Sequence, residues 1–155
     1  MKFIYRCVIF LVVNFSALSF GVLLMENGPQ TDWYRSLNKA PWTPAGWVFG
    51  VAWTAIMFLY SFYMAKLSLK YHLLNKKLVF LYSIQWILNV GWNLAFFNMH
   101  NSILGLLIIV LLWLLIGYLT FKYIKSLSYY TLLIVPYLIW MTIATSLNAY
   151  IVFYN

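Results

Sequence analysis

The chain has 155 residues, of which 65% are hydrophobic and 8% are charged. A soluble globular domain usually carries roughly a quarter charged residues, so this composition excludes an ordinary soluble domain. The net charge is +8 and only 2 residues are acidic, which leaves almost no material for a reaction that needs paired carboxylates.

Five stretches are apolar enough to cross a membrane as helices, each close to the length of about 20 residues that a span requires. They are expected at about 4–25, 44–69, 78–99, 103–123 and 129–153. The only long connection, about 26–43, lies between the first and second helices. The sequence therefore predicts an all-α membrane protein, a single five-helix transmembrane domain over residues 1–155.

The first stretch can also be interpreted as a signal peptide, because basic residues precede it and residues 17–19 loosely resemble a cleavage site. Its apolar run, Cys7–Met25, exceeds the usual signal-peptide core of about 7–15 residues, which favours a retained first helix. Ala17 and Gly21 form a small-residue pair on this helix, a pattern found both in close helix packing and in dimer faces.

Residues 40–54, APWTPAGWVFGVAWT, combine large aromatic side chains with helix breakers. Proline is tolerated in the first turn of a helix, so the second helix is expected to begin at Pro44 with Thr43 as its N-cap. Trp42 then falls in the loop and Trp53 lies deeper in the span. The stretch is interpreted as a rigid aromatic rim over a cavity mouth.

Polar and aromatic side chains recur at helical spacing on three of the predicted helices. Because hydrogen-bonding groups are costly in lipid, these faces should point toward protein, water or a ligand. The stripes are Phe49, Trp53, Tyr60 and Met64 on the second helix, Gln85, Asn89, Trp92 and Phe96 on the third, and Tyr137, Trp140, Ala144 and Asn148 on the fifth. Together they can line one cavity, although such stripes also serve as plain helix packing.

Several kinds of chemistry have no residues to support them. No charged residue or histidine lies near the middle of a predicted span, so a coupled ion pump is not expected. His72 and His100 have no partner at ligand spacing, and Cys7 is the single cysteine, so no metal site is predicted. The chain has no phosphate-binding glycine loop. No cofactor is expected to be required.

The basic residues are distributed in a way that indicates membrane topology instead of nucleic-acid binding. Most of them lie before the first helix or in the second-to-third and fourth-to-fifth connections, which share one side of a five-helix protein: Lys2, Arg6, Lys66, Lys70, Lys76, Lys77, Lys122 and Lys125. The positive-inside rule then predicts a cytoplasmic N-terminus, with the C-terminus and the long loop outside. Anionic lipid headgroups are the expected partners of the basic side, and no nucleic acid is expected.

Four motifs occur in order along the chain: WYRSLNKAPWTP, WVFGVAWT, QWILNVGWNLAFF and PYLIWMTIATSLN. On these motifs the chain resembles the tryptophan-rich sensory protein family, whose mitochondrial relatives are called translocator protein or peripheral benzodiazepine receptor. The resemblance covers nearly the whole chain. It implies five transmembrane helices, usually a homodimer, and a pocket in each protomer that the loop between the first two helices closes.

The resemblance also implies ligands and site residues. Family members bind porphyrins such as protoporphyrin IX, other tetrapyrroles, and isoquinoline or benzodiazepine compounds. By motif, the pocket residues are Trp53, Asn89, Trp92, Trp140 and Ala144, and the lid residues are Tyr34 and Trp42; the stripes add Phe49 and Phe96. Some bacterial members degrade protoporphyrin IX in light, and Trp53 and Trp140 match the tryptophans tied to that reaction.

Three functions therefore stay open: a receptor or sensor, a light-dependent porphyrin-degrading enzyme, and a transporter of tetrapyrroles or lipids. The chain departs from the family pattern where Trp92 is followed by Asn93 and Leu94 in place of proline, so a weaker kink and an extra polar group are expected in the third helix. The cholesterol motif of animal members needs a basic residue late in the fifth helix, which this chain lacks. Cholesterol is not predicted as its ligand.

Overall fold

The computed structural model describes residues 1–155 and consists of helices and their connections, with no β-strand. The helices are α1 (Lys2–Met25), α2 (Asp32–Ser36), α3 (Gly46–Tyr71), α4 (Lys76–Asn93), α5 (Ser102–Leu127) and α6 (Val135–Tyr154). Five of its helical segments are long and apolar enough to cross a membrane. The predicted all-α membrane fold of five spans is confirmed.

The five long helices form a closed ring. α1 packs between α3 and α4, α4 packs on α5, and α5 packs on α6 along most of its length. α6 and α3 complete the ring, but they approach each other at far fewer positions than the other neighbours do. The junction between α3 and α6 is therefore the place where side chains, and not closely packed backbones, fill the space.

Hydrogen bonds join the basic residues to neighbouring helices at one end of the ring, which we call the basic end. Arg6 donates to Ser68 Oγ, Lys66 to the Tyr130 hydroxyl and Lys70 to the Ser126 carbonyl, at 3.3, 3.1 and 2.8 Å. The connection 26–45, which contains α2, lies at the opposite end, which we call the lid end. Most of the basic residues thus lie at one end of the bundle, as the sequence predicts for the connections that carry them.

The small-residue pair on α1 serves packing within one chain. Ala17 and Gly21 are both buried. A Cβ atom on Gly21 would lie 2.8 Å from Nδ2 of Asn93, so only glycine lets α1 approach α4 this closely without displacing that amide. Of the two interpretations of this pair, the structure supports close helix packing.

The predicted start of the second transmembrane helix is wrong by two residues. α3 begins at Gly46, and its N-cap, Ala45, makes no side-chain hydrogen bond. The Thr43 hydroxyl donates instead to the Ala40 carbonyl at 2.7 Å, and the Thr43 N–H bonds to the same carbonyl. Because Thr43 closes a turn of the loop, its side chain is not free to cap the helix.

Other helix ends also differ from the sequence prediction: α5, for example, continues to Leu127 instead of ending near 123. α6 begins at Val135 and not near 129, because Ser128–Leu133 form a 3-10 segment and Pro136 occupies the first turn of the helix. α4 passes directly into a π-helical turn, Leu94–Asn98. The helix is therefore distorted near Asn93 and Leu94, where the family resemblance implies a proline. The π turn interrupts the regular hydrogen-bond pattern of the helix although no proline is present.

Candidate functional site

The hydroxyl of Tyr137 holds α4 and α6 together across the interior of the ring. It accepts one hydrogen bond from Gln85 Nε2 at 3.0 Å and a second from Asn89 Nδ2 at 2.9 Å. Gln85 and Asn89 are one helical turn apart on α4, so both amides reach the same oxygen. All three side chains are buried, so they form a polar cluster within a largely apolar interior.

Aromatic side chains bridge α3 and α6 where these two helices are least closely packed. Phe49 meets Trp140 edge to face with ring centroids 5.3 Å apart. Trp53, one turn further along α3, and Tyr60, about two turns beyond Trp53, both meet the ring of Tyr137, at 6.0 and 5.3 Å. We call these five residues the aromatic seam. Edge-to-face pairs at these distances are the favoured geometry for aromatic rings.

Three polar atoms in and beside the aromatic seam have no hydrogen-bond partner: Trp140 Nε1, the Tyr60 hydroxyl and Gln85 Oε1. Trp140 is 7% exposed and Tyr60 is fully buried, so neither atom reaches bulk solvent through its own surface. Buried polar groups are nearly always paired in folded proteins. The aromatic seam therefore offers unused donors and acceptors in a hydrophobic setting, as a ligand-binding interior does.

A second aromatic group lies beneath the lid end, around the π-helical turn, and we call it the lid cluster. Trp92 stacks on Phe96 with centroids 5.2 Å apart and an interplanar angle of 10°. Tyr34, from α2, meets Phe96 at 6.3 Å and Phe97 at 5.4 Å, while Trp33 meets Phe96 at 5.4 Å. Burial raises the pKa of the Tyr34 phenol above its usual value, so the group is neutral at physiological pH.

Trp92 connects the lid cluster to the interior. Its Nε1 donates to Asn148 Oδ1 at 3.0 Å, and the amide of Asn148 donates onward to the Ser102 carbonyl at 3.0 Å. This path joins α4, α6 and the start of α5. Ala144, on the same α6 stripe as Asn148, is half-buried against the core and contributes a small side chain beside the Trp140 turn.

The lid end is fastened to the bundle by side-chain amides. Asn155, which follows α6, accepts from the Asn38 N–H at 2.8 Å and donates to the Asn38 carbonyl at 3.2 Å. Asn98 donates to Glu26 Oε1 at 2.8 Å. The loop is therefore held at its beginning, through Glu26, and in its second half, through Asn38.

Trp42 is the predicted lid residue that the structure sets apart from the lid cluster. Its indole N–H donates to Ser146 Oγ at 3.1 Å and its ring meets Tyr150 at 5.5 Å. Both contacts are with α6, and 54% of the side chain is exposed. Trp42 thus pins the descending end of the loop to α6, whereas Tyr34 covers the lid cluster.

The structure places most of the predicted site residues in two groups, with Trp42 and Ala144 outside both. Phe49, Trp53 and Trp140 meet in the aromatic seam, which Asn89 touches through Tyr137, and Tyr34, Trp92 and Phe96 meet in the lid cluster. Phe97 and Trp33 belong to the lid cluster although the sequence stripes omit them. Helical spacing turns Phe97 away from Phe96, but the π turn buries both, and no pattern in the sequence signals that turn.

Comparison with known proteins supports one family. The sequence matches the TspO/MBR family over residues 8–154. It is 35% identical over 135 residues to the tryptophan-rich protein TspO of Chlorobaculum tepidum, with 85% of each chain covered. It is 34% identical over 117 residues to the tryptophan-rich sensory protein of Cereibacter sphaeroides, covering 76% of this chain and 73% of the relative. Protein CrtK of Rhodobacter capsulatus is 37% identical over 120 residues, covering 75% and 74%.

Replacing Tyr137 by Phe should destabilise the bundle, because two buried amides lose their common acceptor while the ring contacts remain. A buried polar group left without a partner costs about 1–3 kcal/mol, so the midpoint of thermal unfolding in detergent should fall by several degrees. Tyr154→Phe is the matched control, since Tyr154 is exposed and makes no side-chain hydrogen bond. Equal midpoints for the two variants would contradict the role assigned to the Tyr137 hydroxyl.

Proposed function

The chain belongs to the TspO/MBR family of membrane proteins, and from that premise we propose that it is an integral membrane receptor or sensor for flat aromatic ligands. The ligands are porphyrins such as protoporphyrin IX, other tetrapyrroles, and neutral isoquinoline- or benzodiazepine-type compounds. They bind inside the bundle, in the region between the aromatic seam and the lid cluster. The printed name of one relative, a tryptophan-rich sensory protein, agrees with a sensory role.

The observation that carries this proposal is the aromatic seam with its unpartnered indole. α3 and α6 are held together here by the ring pairs of Phe49 with Trp140 and Trp53 with Tyr137. Rotation of such side chains opens space without moving a helix backbone, and Trp140 Nε1 then has a ligand atom to bond. Large apolar rings gain from burial at roughly 25 cal/mol per Å² and from offset stacking, so binding needs no charged group in the seam.

Porphyrin propionates need a cation, and the lid supplies one. Lys39 is engaged within the lid, because its Nζ bonds the carbonyls of Arg35 and Leu37 and lies 4.7 Å from the ring centre of Tyr34. The Arg35 guanidinium makes no hydrogen bond or ion pair, and the side chain is exposed on α2 beside Tyr34. Arg35 is thus the better placed cation for a carboxylate, since guanidinium binds it in a bidentate manner.

We propose that membrane lipids and a second copy of the chain are its partners, and that it requires no cofactor. Large apolar side chains such as Phe121 and Phe153 are exposed along the outer surface of the bundle, as expected for contact with lipid or with another protomer. Cross-linking of the chain in native membranes would test the dimer: recovery of monomer alone would contradict it.

Replacing Trp140 by Leu should weaken protoporphyrin IX binding about tenfold, because the variant loses both a stacking surface and a hydrogen-bond donor. Affinity is measured in the dark from the porphyrin absorbance, on detergent-solubilised protein whose fold is checked by circular dichroism. Trp47→Leu is the control, because Trp47 is 72% exposed in the first turn of α3. Equal affinities of the two variants would contradict binding in the aromatic seam.

Illumination of the same samples separates a receptor from an enzyme. A porphyrin spectrum that is stable in light supports the receptor or sensor. Conversion into a discrete product that is lost in Trp53→Phe and Trp140→Phe, while binding persists, would favour the light-dependent degrading enzyme and replace the proposal.

Replacing Arg35 by Ala should weaken binding of protoporphyrin IX several-fold and leave binding of a neutral isoquinoline unchanged, because only the porphyrin carries carboxylates. Lys2→Ala, at the basic end, is the control for a general loss of positive charge. An equal effect of Arg35→Ala on both ligands would show that the residue acts on the lid as a whole and not on the propionates.

The basic end is proposed to face the cytoplasm, with the lid end and the C-terminus outside, because positive residues accumulate on the cytoplasmic side of membrane proteins. In a Cys7→Ser background, a cysteine placed at Asn38 should react with an impermeant maleimide on intact cells, and one at Lys125 only after lysis. Asn38, in the loop, and Lys125, on α5, are both polar and exposed. The reverse labelling pattern would invert the topology.

A further inference from the structure

A groove of about 490 Å³ runs along the outer face of the bundle between α5 and α6, away from the aromatic seam. Its walls include Trp113, Tyr118 and Phe121 of α5 and Leu138 of α6. Gly117 forms part of its floor, since a Cβ atom there would have only ordinary contact, 3.8 Å, with Leu138. The groove is therefore open to the lipid side of the bundle.

At the end of the groove nearest the middle of α5, the polar side chains are hydrogen-bonded to each other and to the backbone. Trp113 Nε1 donates to Thr142 Oγ1 at 2.9 Å, and Thr142 donates to the Leu138 carbonyl at 3.0 Å. With its N–H engaged, the indole presents an apolar surface to whatever lies in the groove. Hydrocarbon is the matching occupant for this part of it.

The other end of the groove reaches the basic end of the bundle. Lys77 Nζ lies 5.8 Å from the ring centre of Tyr118. Lys122 and Lys125 follow Tyr118 and Phe121 by one helical turn on α5, so they lie just beyond the groove on the same faces. The acidic residues of the chain, Glu26 and Asp32, lie at the lid end and neutralise none of these charges.

The dimensions of the groove suit one leaflet of a bilayer. Trp113 and Lys122 are separated by about 14 Å along α5 at 1.5 Å per residue. Half the hydrocarbon core of a bilayer is about 15 Å thick. A lipid whose phosphate lies at the level of Lys122 therefore has a chain that ends near Trp113.

We propose that this groove is a binding site for one anionic phospholipid. An acyl chain lies along Gly117 and Leu138 and ends against Trp113, and the phosphate pairs with Lys77 and Lys122. Because Lys77 and Lys122 are both positively charged, their end of the groove selects an anionic headgroup over a zwitterionic one. The site is separate from the aromatic seam, so it does not depend on the ligand proposed above.

The test uses the full chain in phosphatidylcholine vesicles that contain a minor fraction of brominated phosphatidylglycerol or brominated phosphatidylcholine. Bromine quenches nearby tryptophan, and the difference between the chain and its Trp113→Phe variant isolates the signal of Trp113. We expect the phosphatidylglycerol to quench Trp113 more than fivefold more effectively. Each of Lys77→Gln and Lys122→Gln should reduce that preference about fivefold, the amount that one lysine contributes near a membrane surface. Lys2→Gln, which removes the same charge from the distant α1, should leave the preference unchanged.

Gly117→Leu provides a second variant, because its side chain fills the groove while the helix backbone keeps its conformation. It should abolish selective quenching of Trp113 without changing the thermal midpoint in detergent. Equal quenching by both brominated lipids would overturn the proposal in favour of nonselective annular lipid. Absence of quenching by either lipid, together with cross-linking between α5 helices of two copies, would overturn it in favour of a protein interface.

Discussion

The hydrogen bonds to the Tyr137 hydroxyl organise the interior of this bundle. In an apolar environment, Gln85 and Asn89 of α4 need an acceptor, and a single phenol on α6 serves both. The same ring then gives Trp53 and Tyr60 of α3 a surface to pack against. One residue thereby sets the relative positions of three helices, and the aromatic seam between α3 and α6 depends on it.

The proposed function involves two parts of the molecule, the aromatic seam and the lid cluster. The aromatic seam contains buried rings and unpartnered polar atoms, which suit a flat ligand. The lid cluster is built on the π turn and on α2, and it is covered by a loop in which Glu26 is bonded to Asn98 and Asn38 to Asn155. Trp92 belongs to the lid cluster, and it also packs against the main hydrophobic core and bonds Asn148 of α6.

Helical periodicity predicted which faces point inward, and it did so because polar groups in a membrane have few alternatives to the interior. Gln85, Asn89, Tyr137 and Trp140 were all assigned in this way and all are buried. The lid was less predictable. Trp42 and Tyr34 lie in the same loop, yet they contact different elements, and spacing along an irregular segment does not determine the direction of a side chain. Phe97 was missed because a π turn changes the helical period over only a few residues.

The sequence by itself determined the class of protein, the number of spans, the segregation of basic residues to one end and the inward stripes. Each of these follows from the cost of exposing polar groups to lipid, which acts on every helix independently. Only the tertiary structure decided which helices are neighbours, that α3 and α6 meet through rings, and that Gly21 serves packing within the chain. Those outcomes depend on distances between residues far apart in the chain, which no local pattern encodes.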